Sequence, residues 1–231
     1  MKKFIPNSIT LLNLLCGSVA VVYAAGGCYY AVWMLCILAS VFDFFDGFAA
    51  RKLGAYSEIG KELDSLSDLV SFGLAPSVAL LSFYKANVGG APEVLAYTAL
   101  IIVACSALRL AKFNLDERQT KSFLGLPTPA CGLLVVSLAA FQPAILQTVW
   151  FIPVLSVVLS ALLISEIPMF SMKQRSRRLK FFFAGIIFIG VICGCVPHCA
   201  PWWNRLPEIM AYAFIWYIII NLKPVKTNET H

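Results

Sequence analysis

The sequence predicts an all-α integral membrane protein with about eight transmembrane helices. Of its 231 residues, 60% are hydrophobic and only 13% are charged, whereas soluble domains are about one-quarter charged. The mean hydropathy is +0.81, and the apolar residues form long blocks separated by short polar clusters. A water-soluble single domain cannot bury that much apolar surface. The composition therefore excludes a soluble domain and a disordered chain, and it indicates the lipid bilayer as the solvent.

Eight apolar segments approach the length of about 20 residues that a helix needs to cross ~30 Å of hydrocarbon. In chain order they lie at 9–26, 30–50, 63–84, 93–110, 128–146, 149–164, 181–196 and 208–222. The sixth and seventh segments are short. No linker rich in Pro, Gly or Ser and no internal repeat divides the chain, so the segments are expected to form one membrane-embedded unit.

The basic residues predict the orientation of these spans. With a cytoplasmic N-terminus and eight crossings, only Lys85 and Arg205 of the 18 Lys and Arg residues face outward. Cytoplasmic loops of membrane proteins carry an excess of Lys and Arg, and a wrong number of spans would scramble this asymmetry. The net charge of +6 is therefore interpreted as a topology signal, and no nucleic-acid partner is predicted.

The first span opens with polar and small residues on one helical face. Pro6, Asn7, Thr10, Asn13 and Gly17 share a stripe because after Asn7 they follow at intervals of three, three and four residues. One interpretation is a helix cap at Asn7 followed by ordinary interhelical hydrogen bonds. The other is that the stripe faces a polar cavity and contacts a ligand.

The second span ends, and the third begins, with a pair of aspartates. Asp43 and Asp46 are three residues apart, and Asp64 and Asp68 are four apart, so each pair lies on one face of its helix. The short connection between the spans makes the two helices antiparallel neighbours. Because ionisable residues inside the membrane are costly, they indicate function. Four carboxylates are therefore predicted to converge near the cytoplasmic surface.

This cluster of acids has few cations to neutralise it. With only Arg51 and Lys61 nearby, four carboxylates would repel each other, and a set of interhelical salt bridges lacks partners. A divalent cation relieves the repulsion, and all-oxygen ligands suit Mg²⁺ or Mn²⁺. Two ions that share carboxylates are a known arrangement for phosphoryl chemistry. Gly47 and Gly60 leave room for a ligand, and Arg51 can hold a phosphate through two hydrogen bonds.

The spacing of these residues resembles the signature of the CDP-alcohol phosphotransferase family. The matching positions read Asp43-x2-Asp46-Gly47-x2-Ala50-Arg51-x8-Gly60-x3-Asp64-x3-Asp68. The resemblance implies a six-helix core, a homodimer and a polar cavity open to the cytoplasm. It also implies that all four aspartates bind divalent metal and that Asp68 is in addition the catalytic base. Together with the first-span stripe, it predicts a CDP-binding set of Asn7, Thr10, Asp43, Asp46, Gly47, Ala50, Arg51, Gly60 and Asp64.

Three further segments, at 64–76, 109–114 and 123–130, resemble the bacterial and archaeal branch of this family that uses serine. This resemblance implies transfer of the phosphatidyl group from CDP-diacylglycerol to the hydroxyl of L-serine, with phosphatidylserine and CMP as products, in the plasma membrane. Serine brings a carboxylate that a cation must receive. The candidates for serine or phosphate binding are Arg109, Lys112, Asn114 and Pro127. The other interpretation of both residues, and the favoured one for Lys112, is a topology-setting charge near lipid headgroups.

The remainder of the chain has no comparable motif. Residues 1–170 are predicted to form the six-helix catalytic core, and residues 171–231 a basic cytoplasmic loop and two additional helices. The basic run at 173–180 is interpreted as a loop beside anionic lipid. Near the outer end of the seventh span, a cluster of thiols and an imidazole is open to three interpretations, namely a metal site, a disulfide or free thiols; its members are Cys193, Cys195, His198 and Cys199.

Two alternative functions remain open at this level. The same chemistry could use another acceptor, such as glycerol 3-phosphate or an inositol phosphate. A protein of another class, a divalent-cation transporter, could use the same carboxylates. Transporters tend to place their acids at the bilayer midplane on broken helices, commonly in related halves. In this sequence the acids lie toward one end of the spans and the two halves differ.

Overall fold

The computed structural model describes residues 4–115, 123–169 and 205–222. Its α-helices are Phe4–Ala25 (α1), Tyr29–Leu53 (α2), Glu58–Asp68 (α3), Ala75–Asn87 (α4), Ile101–Leu115 (α5), Thr128–Phe141 (α6), Phe151–Ile164 (α7) and Leu206–Leu222 (α8). A π-helical segment, Leu69–Leu74, joins α3 to α4, and 3₁₀ helices lie at Glu93–Leu100 and Ala144–Gln147. The short strands Phe123–Leu124 (β1) and Pro168–Met169 (β2) pair in antiparallel fashion.

The predicted class, an all-α multi-pass membrane protein, is confirmed, and the two-residue strand pair is its one departure within the described residues. Four helical segments are long and apolar enough to cross a membrane: Phe4–Ala25, Tyr29–Leu53, Glu58–Asn87 and Glu93–Leu115. The helices α6, α7 and α8 are also apolar, but they are shorter. Seven predicted spans are thus helical. The seventh span, the basic run and the Cys/His cluster lie outside the described residues, and the domain division at residue 170 stays a prediction.

The ends of the helices differ from the predicted spans where local chemistry ends or extends a helix. The predicted span 128–146 is shorter in the structure, because α6 ends at Phe141. Gln142 adopts a left-handed conformation with φ of 52°, and Pro143, which follows it, has no backbone N–H to continue the helix. The predicted span 63–84 is longer and begins at Glu58, where Ser57 caps α3.

The helices pack around a core that α6 occupies. α1 and α2 form an antiparallel hairpin, α6 contacts α2, α4 and α8, and α5 packs on α7. Most residues of α6 are buried, whereas α1 and α2 expose large apolar side chains such as Leu15, Val22 and Phe44. Exposed apolar surface of this extent suits contact with lipid.

The π-helical segment lies within the most buried of the four long spans and has a local cause. The N–H of Ala75 bonds to the carbonyl of Val70, five residues earlier. The next residue, Pro76, has no N–H to offer the carbonyl of Ser71, and its ring also crowds the preceding turn. The Ser71 carbonyl instead accepts a hydrogen bond from the Cys36 thiol at 3.4 Å. A neighbouring helix thus replaces the missing backbone partner.

Candidate active site

The turn between α2 and α3 fixes the two helices that carry the aspartates. α2 ends at Leu53, where Gly54 takes a left-handed conformation with φ of 58° that favours glycine. Ser57 begins α3 by accepting a hydrogen bond from the Gly60 N–H at 3.0 Å, as N-cap residues do. Gly60, Asp64 and Asp68 then follow at intervals of four along one face.

Three of the predicted carboxylates meet between these helices. One oxygen each from Asp43, Asp64 and Asp68 lies within 4.8 Å of the others. Asp68 is buried, with 8% of its surface exposed, while Asp43 and Asp64 are half-buried. Asp46 lies one helical turn beyond Asp43, is also buried, and has Arg51 as its neighbouring cation. The two pairs therefore face each other, with Asp46 at the side of the cluster.

Beside the aspartates the structure has a cavity of about 210 Å³. It lies between the start of α1, the end of α2 and the first turns of α3. Its lining comprises Pro6, Asn7, Thr10, Asp46, Gly47, Ala50, Arg51, Ala55, Tyr56, Ser57, Gly60, Lys61 and Asp64. Every residue of the predicted CDP-binding set except Asp43 is in this lining.

Two glycines in the lining allow close approach. A Cβ at Gly60 would lie 3.0 Å from the Asn7 Oδ1 and from the Ser57 Oγ, so a side chain there would displace the Asn7 amide or the Ser57 hydroxyl that caps α3. A Cβ at Gly47 would lie 3.3 Å from Nη1 of Arg51. The guanidinium can therefore fold back along α2, where it is available to an anion in the cavity.

The acidic cluster fits a divalent cation. The Oδ2 of Asp46 and the Oδ1 of Asp64 are buried and have no hydrogen-bond partner among the described residues. A buried anionic oxygen without a partner is destabilising, and a hard cation with oxygen ligands supplies the missing partner. Asp43, Asp64 and Asp68 are close enough to share such an ion, and Asp46 is the nearest further carboxylate on α2.

The candidates for acceptor binding fall in three different environments. Arg109 is buried, and its Nη1 donates to the Thr128 Oγ1 at 3.2 Å. Lys112 is exposed on the last turn of α5. Asn114 donates to the Ser65 Oγ at 3.0 Å, which joins α5 to the outer face of α3. Pro127 precedes α6 as its N-cap. Of these four candidates, Arg109 is the buried cation. The Asp68 carboxylate is near enough to interact with its guanidinium electrostatically.

Lys61 and Asn13 make contacts in this region that the sequence pattern does not predict. Lys61 lines the cavity and donates to the backbone carbonyl of Asn114 at 2.7 Å. Asn13 was noted only as part of a stripe, yet it contacts Asp68 at 3.4 Å. Lys61 directly follows Gly60 of the signature, so the sequence could have indicated that it lies at the cavity. Spacing alone cannot tell which residue of another helix Asn13 contacts.

A model of the CDP-alcohol phosphatidyltransferase family matches residues 3–164 of the chain. The chain belongs to this family. The resemblance that the aspartate spacing indicated is thereby confirmed, and the matched region includes α1 to α7 with the cavity and the carboxylates.

Three curated relatives are similar to this chain over more than half of their own length. A CDP-diacylglycerol–serine O-phosphatidyltransferase of Bacillus subtilis is 37% identical over 145 residues, covering 62% of this chain and 80% of the relative. An enzyme of the same name in Methanocaldococcus jannaschii is 32% identical over 196 residues, which are 85% and 86% of the two chains. An archaetidylserine synthase of Methanothermobacter thermautotrophicus is 34% identical over 139 residues, covering 58% and 56%.

Proposed function

We propose that this protein transfers the phosphatidyl group of CDP-diacylglycerol to the hydroxyl of L-serine and releases phosphatidylserine and CMP. The observation that carries the proposal is a cluster of three aspartates beside a cavity whose lining holds the predicted CDP-binding positions other than Asp43. Asp64 belongs to both the cluster and the lining. The relatives named for serine transfer, at 37% and 32% identity, support serine as the acceptor.

The cavity suits the charge and shape of the donor. Arg51 and Lys61 can each meet a phosphate oxygen of the diphosphate, and both lie on its wall. The cytidine would lie against the start of α1, where Asn7 and Thr10 supply polar atoms. The acyl chains would remain in lipid, beside exposed side chains of α2 such as Phe44 and Phe48.

In the proposed reaction, Asp68 accepts the proton of the serine hydroxyl. The serine oxygen then forms a bond to the phosphorus that carries diacylglycerol, while the bond from that phosphorus to the oxygen of CMP breaks and CMP keeps the electron pair. Two Mg²⁺ or Mn²⁺ ions on the four aspartates would neutralise the diphosphate and the developing charge on CMP. Positioning and electrostatic stabilisation supply most of the rate in such phosphoryl transfers.

The same geometry supports an orientation. Arg51, Lys52 and Lys61 lie at the end of the bundle where the cavity is, whereas Lys85 lies toward the other end, 3.8 Å from Glu93. By the positive-inside rule, the cavity end faces the cytoplasm. The proposed location is the plasma membrane, and a homodimer is the assembly that the family resemblance implies.

One parallel assay tests the function. Purified protein in detergent receives labelled CDP-diacylglycerol, Mg²⁺ or Mn²⁺, and either L-serine, glycerol 3-phosphate or an inositol phosphate. We expect a labelled phospholipid and CMP with serine alone, and no product when the cation is chelated. If product forms only with one of the other two acceptors, that compound is the acceptor and the assignment of serine is wrong. If the protein takes up cations into proteoliposomes and releases no CMP, it is a transporter and the proposed enzyme activity is wrong.

Arg109 is the cation best placed to receive the serine carboxylate. It is 8% exposed, and its Nε has no hydrogen-bond partner among the described residues. Thr128 accepts a hydrogen bond from one end of the guanidinium, and the Nε–H is available to a carboxylate. Because Asp68 lies nearby, serine bound to Arg109 would place its hydroxyl near the proposed base.

We expect Arg109→Ala to raise the KM for serine far more than the KM for CDP-diacylglycerol. A hydrogen bond to a charged group is worth about 1.5–3 kcal/mol, which corresponds to roughly ten- to hundred-fold. Steady-state kinetics with each substrate varied in turn measure the two effects. Lys52→Ala, which removes an exposed charge outside the cavity lining, is the control. Equal increases in both KM values would make Arg109 a lipid-phosphate or structural residue.

A further inference from the structure

The amide of Asn13 joins the proposed base to the π-helical segment. Asn13 is fully buried in the middle of α1. Its Nδ2 donates to the Oδ1 of Asp68 at 3.4 Å, and its Oδ1 accepts a hydrogen bond from the Ser71 hydroxyl at 2.7 Å. Both polar ends of this side chain are therefore engaged, one by a carboxylate and one by a hydroxyl.

The Asp68 carboxylate selects the nitrogen end of the amide, and the Ser71 hydroxyl stabilises that orientation by donating to the oxygen end. An asparagine side chain can rotate so that its oxygen and nitrogen exchange places, and only the nitrogen can donate to a carboxylate. With the Ser71 hydroxyl on its oxygen, the amide keeps its NH₂ group toward Asp68. The reversed amide would direct its oxygen at the carboxylate, and the two acceptors would repel each other.

The backbone holds Ser71 in this place. Its carbonyl accepts from the Cys36 thiol on α2, and its hydroxyl also lies 3.0 Å from the backbone carbonyl of Asn13. A Cβ at Gly17 would overlap the Ser71 hydroxyl and lie 2.7 Å from its Cα, so the missing side chain lets α1 approach the π turn. Three elements thus meet at one serine.

From this geometry we infer that Asn13 is a positioning residue for Asp68 and that Ser71 acts through Asn13. The Asn13 hydrogen bond occupies one carboxylate oxygen and fixes the rotamer of Asp68, so that the other oxygen is presented to the acceptor hydroxyl. Hydrogen-bond partners of this kind orient the groups that react, and their loss typically lowers metal affinity or activity about ten- to hundred-fold. The inference rests on the proposed role of Asp68.

A double-mutant cycle tests this relay, meaning the action of Ser71 on Asp68 through Asn13. Wild type, Asn13→Ala, Ser71→Ala and the double variant are compared by kcat, by both KM values and by thermal unfolding in detergent. We expect Asn13→Ala to lower kcat roughly ten- to hundred-fold and to leave the KM for CDP-diacylglycerol nearly unchanged. We expect Ser71→Ala to lower kcat by less, and to have no further effect in the Asn13→Ala background, because coupled residues are not additive.

Ser77→Ala is the matched control. Ser77 is fully buried in the same span, but its hydroxyl donates to a backbone group of that span, the Gly73 carbonyl, at 2.8 Å. It should keep the wild-type kcat. Effects of Asn13→Ala and Ser71→Ala that multiply, or a KM for CDP-diacylglycerol that rises with the loss of kcat, would overturn the relay. If Asn13→Ala does not fold, the comparison of Ser71→Ala with Ser77→Ala still decides it, since equal kcat values would overturn it.

The proposed function is tested separately, by measuring product formation with the wild-type protein. Wild-type protein that produces no phosphatidylserine would overturn serine as the acceptor. The cycle would then be measured with the acceptor that the wild type does use, because the contact of Asn13 with Asp68 does not depend on which alcohol loses the proton.

Discussion

Asp64→Asn is expected to abolish product formation while the protein remains folded in detergent. The variant keeps the size of the side chain but removes one negative charge from the group Asp43, Asp64 and Asp68, whose oxygens lie within 4.8 Å of one another. Metal binding to this group depends on that charge. We expect Asp43→Asn to have the same effect, since it lies in the same group. Titration of activity with Mg²⁺ and Mn²⁺ measures the loss.

The control for charge removal is Glu62→Gln. Glu62 is an exposed acid on the same helix, two residues before Asp64, and it is outside the cavity lining given above. It should retain activity.

Thermal unfolding is a second measurement of cation binding. A bound cation stabilises the native protein, so Mg²⁺ or Mn²⁺ should raise the unfolding temperature of the wild type and of Glu62→Gln more than that of Asp64→Asn. Near-normal activity of Asp64→Asn at ordinary cation concentration would contradict a shared metal site.

Asp68→Asn is expected to bind CDP-diacylglycerol and cation but to form no product at any serine concentration. Three carboxylates remain for the cation, whereas the amide cannot accept the proton of the serine hydroxyl. Asp68 lies one turn further along α3 than Asp64 and is buried. Equilibrium binding of labelled CDP-diacylglycerol and single-turnover product formation separate the two functions.

Two results would assign Asp68 a different role. A loss of nucleotide binding as severe as that of Asp43→Asn would make it chiefly a metal ligand. A rate restored by higher pH, with unchanged binding, would show that solvent can remove the proton. Asp68→Glu is the companion variant: it retains a carboxylate, so it should retain more activity than Asp68→Asn.

Much of the site could be predicted because helical spacing determines which residues share a face. Asp43 and Asp46, and likewise Asp64 and Asp68, lie on facing sides of α2 and α3 because each pair is three or four residues apart. The short turn made them neighbours. The cavity lining at Asn7, Gly47 and Gly60 agrees with the positions expected from the signature.

The rest depends on contacts between residues that are distant in sequence. Spacing places Asn13 on a polar face of α1, but it cannot tell whether that face meets a nucleotide or Asp68. For the same reason Arg109 and Lys112, three residues apart, had similar interpretations, and the structure buries one and exposes the other. Asn114 meets α3 through Ser65, a contact that only the packing of α5 determines.

The π-helical segment could have been suspected from Pro76 but not located. A proline inside an apolar span indicates a disturbed helix, and such disturbances are frequently found at functional sites. Whether the preceding turn kinks, ends or widens depends on which neighbours form hydrogen bonds with the released backbone groups. Here the Cys36 thiol donates to the Ser71 carbonyl, and nothing in the local sequence specifies that partner.

The widened turn is also the place where this span can lose one residue without being turned about its axis. A π turn holds one residue more than an α turn, and each residue of an α-helix advances the chain by about 100° around the axis. Because the π turn takes up its extra residue within a single turn, deleting one residue of Leu69–Leu74 to give an α turn would leave Asp64 and Asp68 facing α2. A deletion in an α-helical part of the span has no such compensation and would rotate the two halves relative to each other by about 100°.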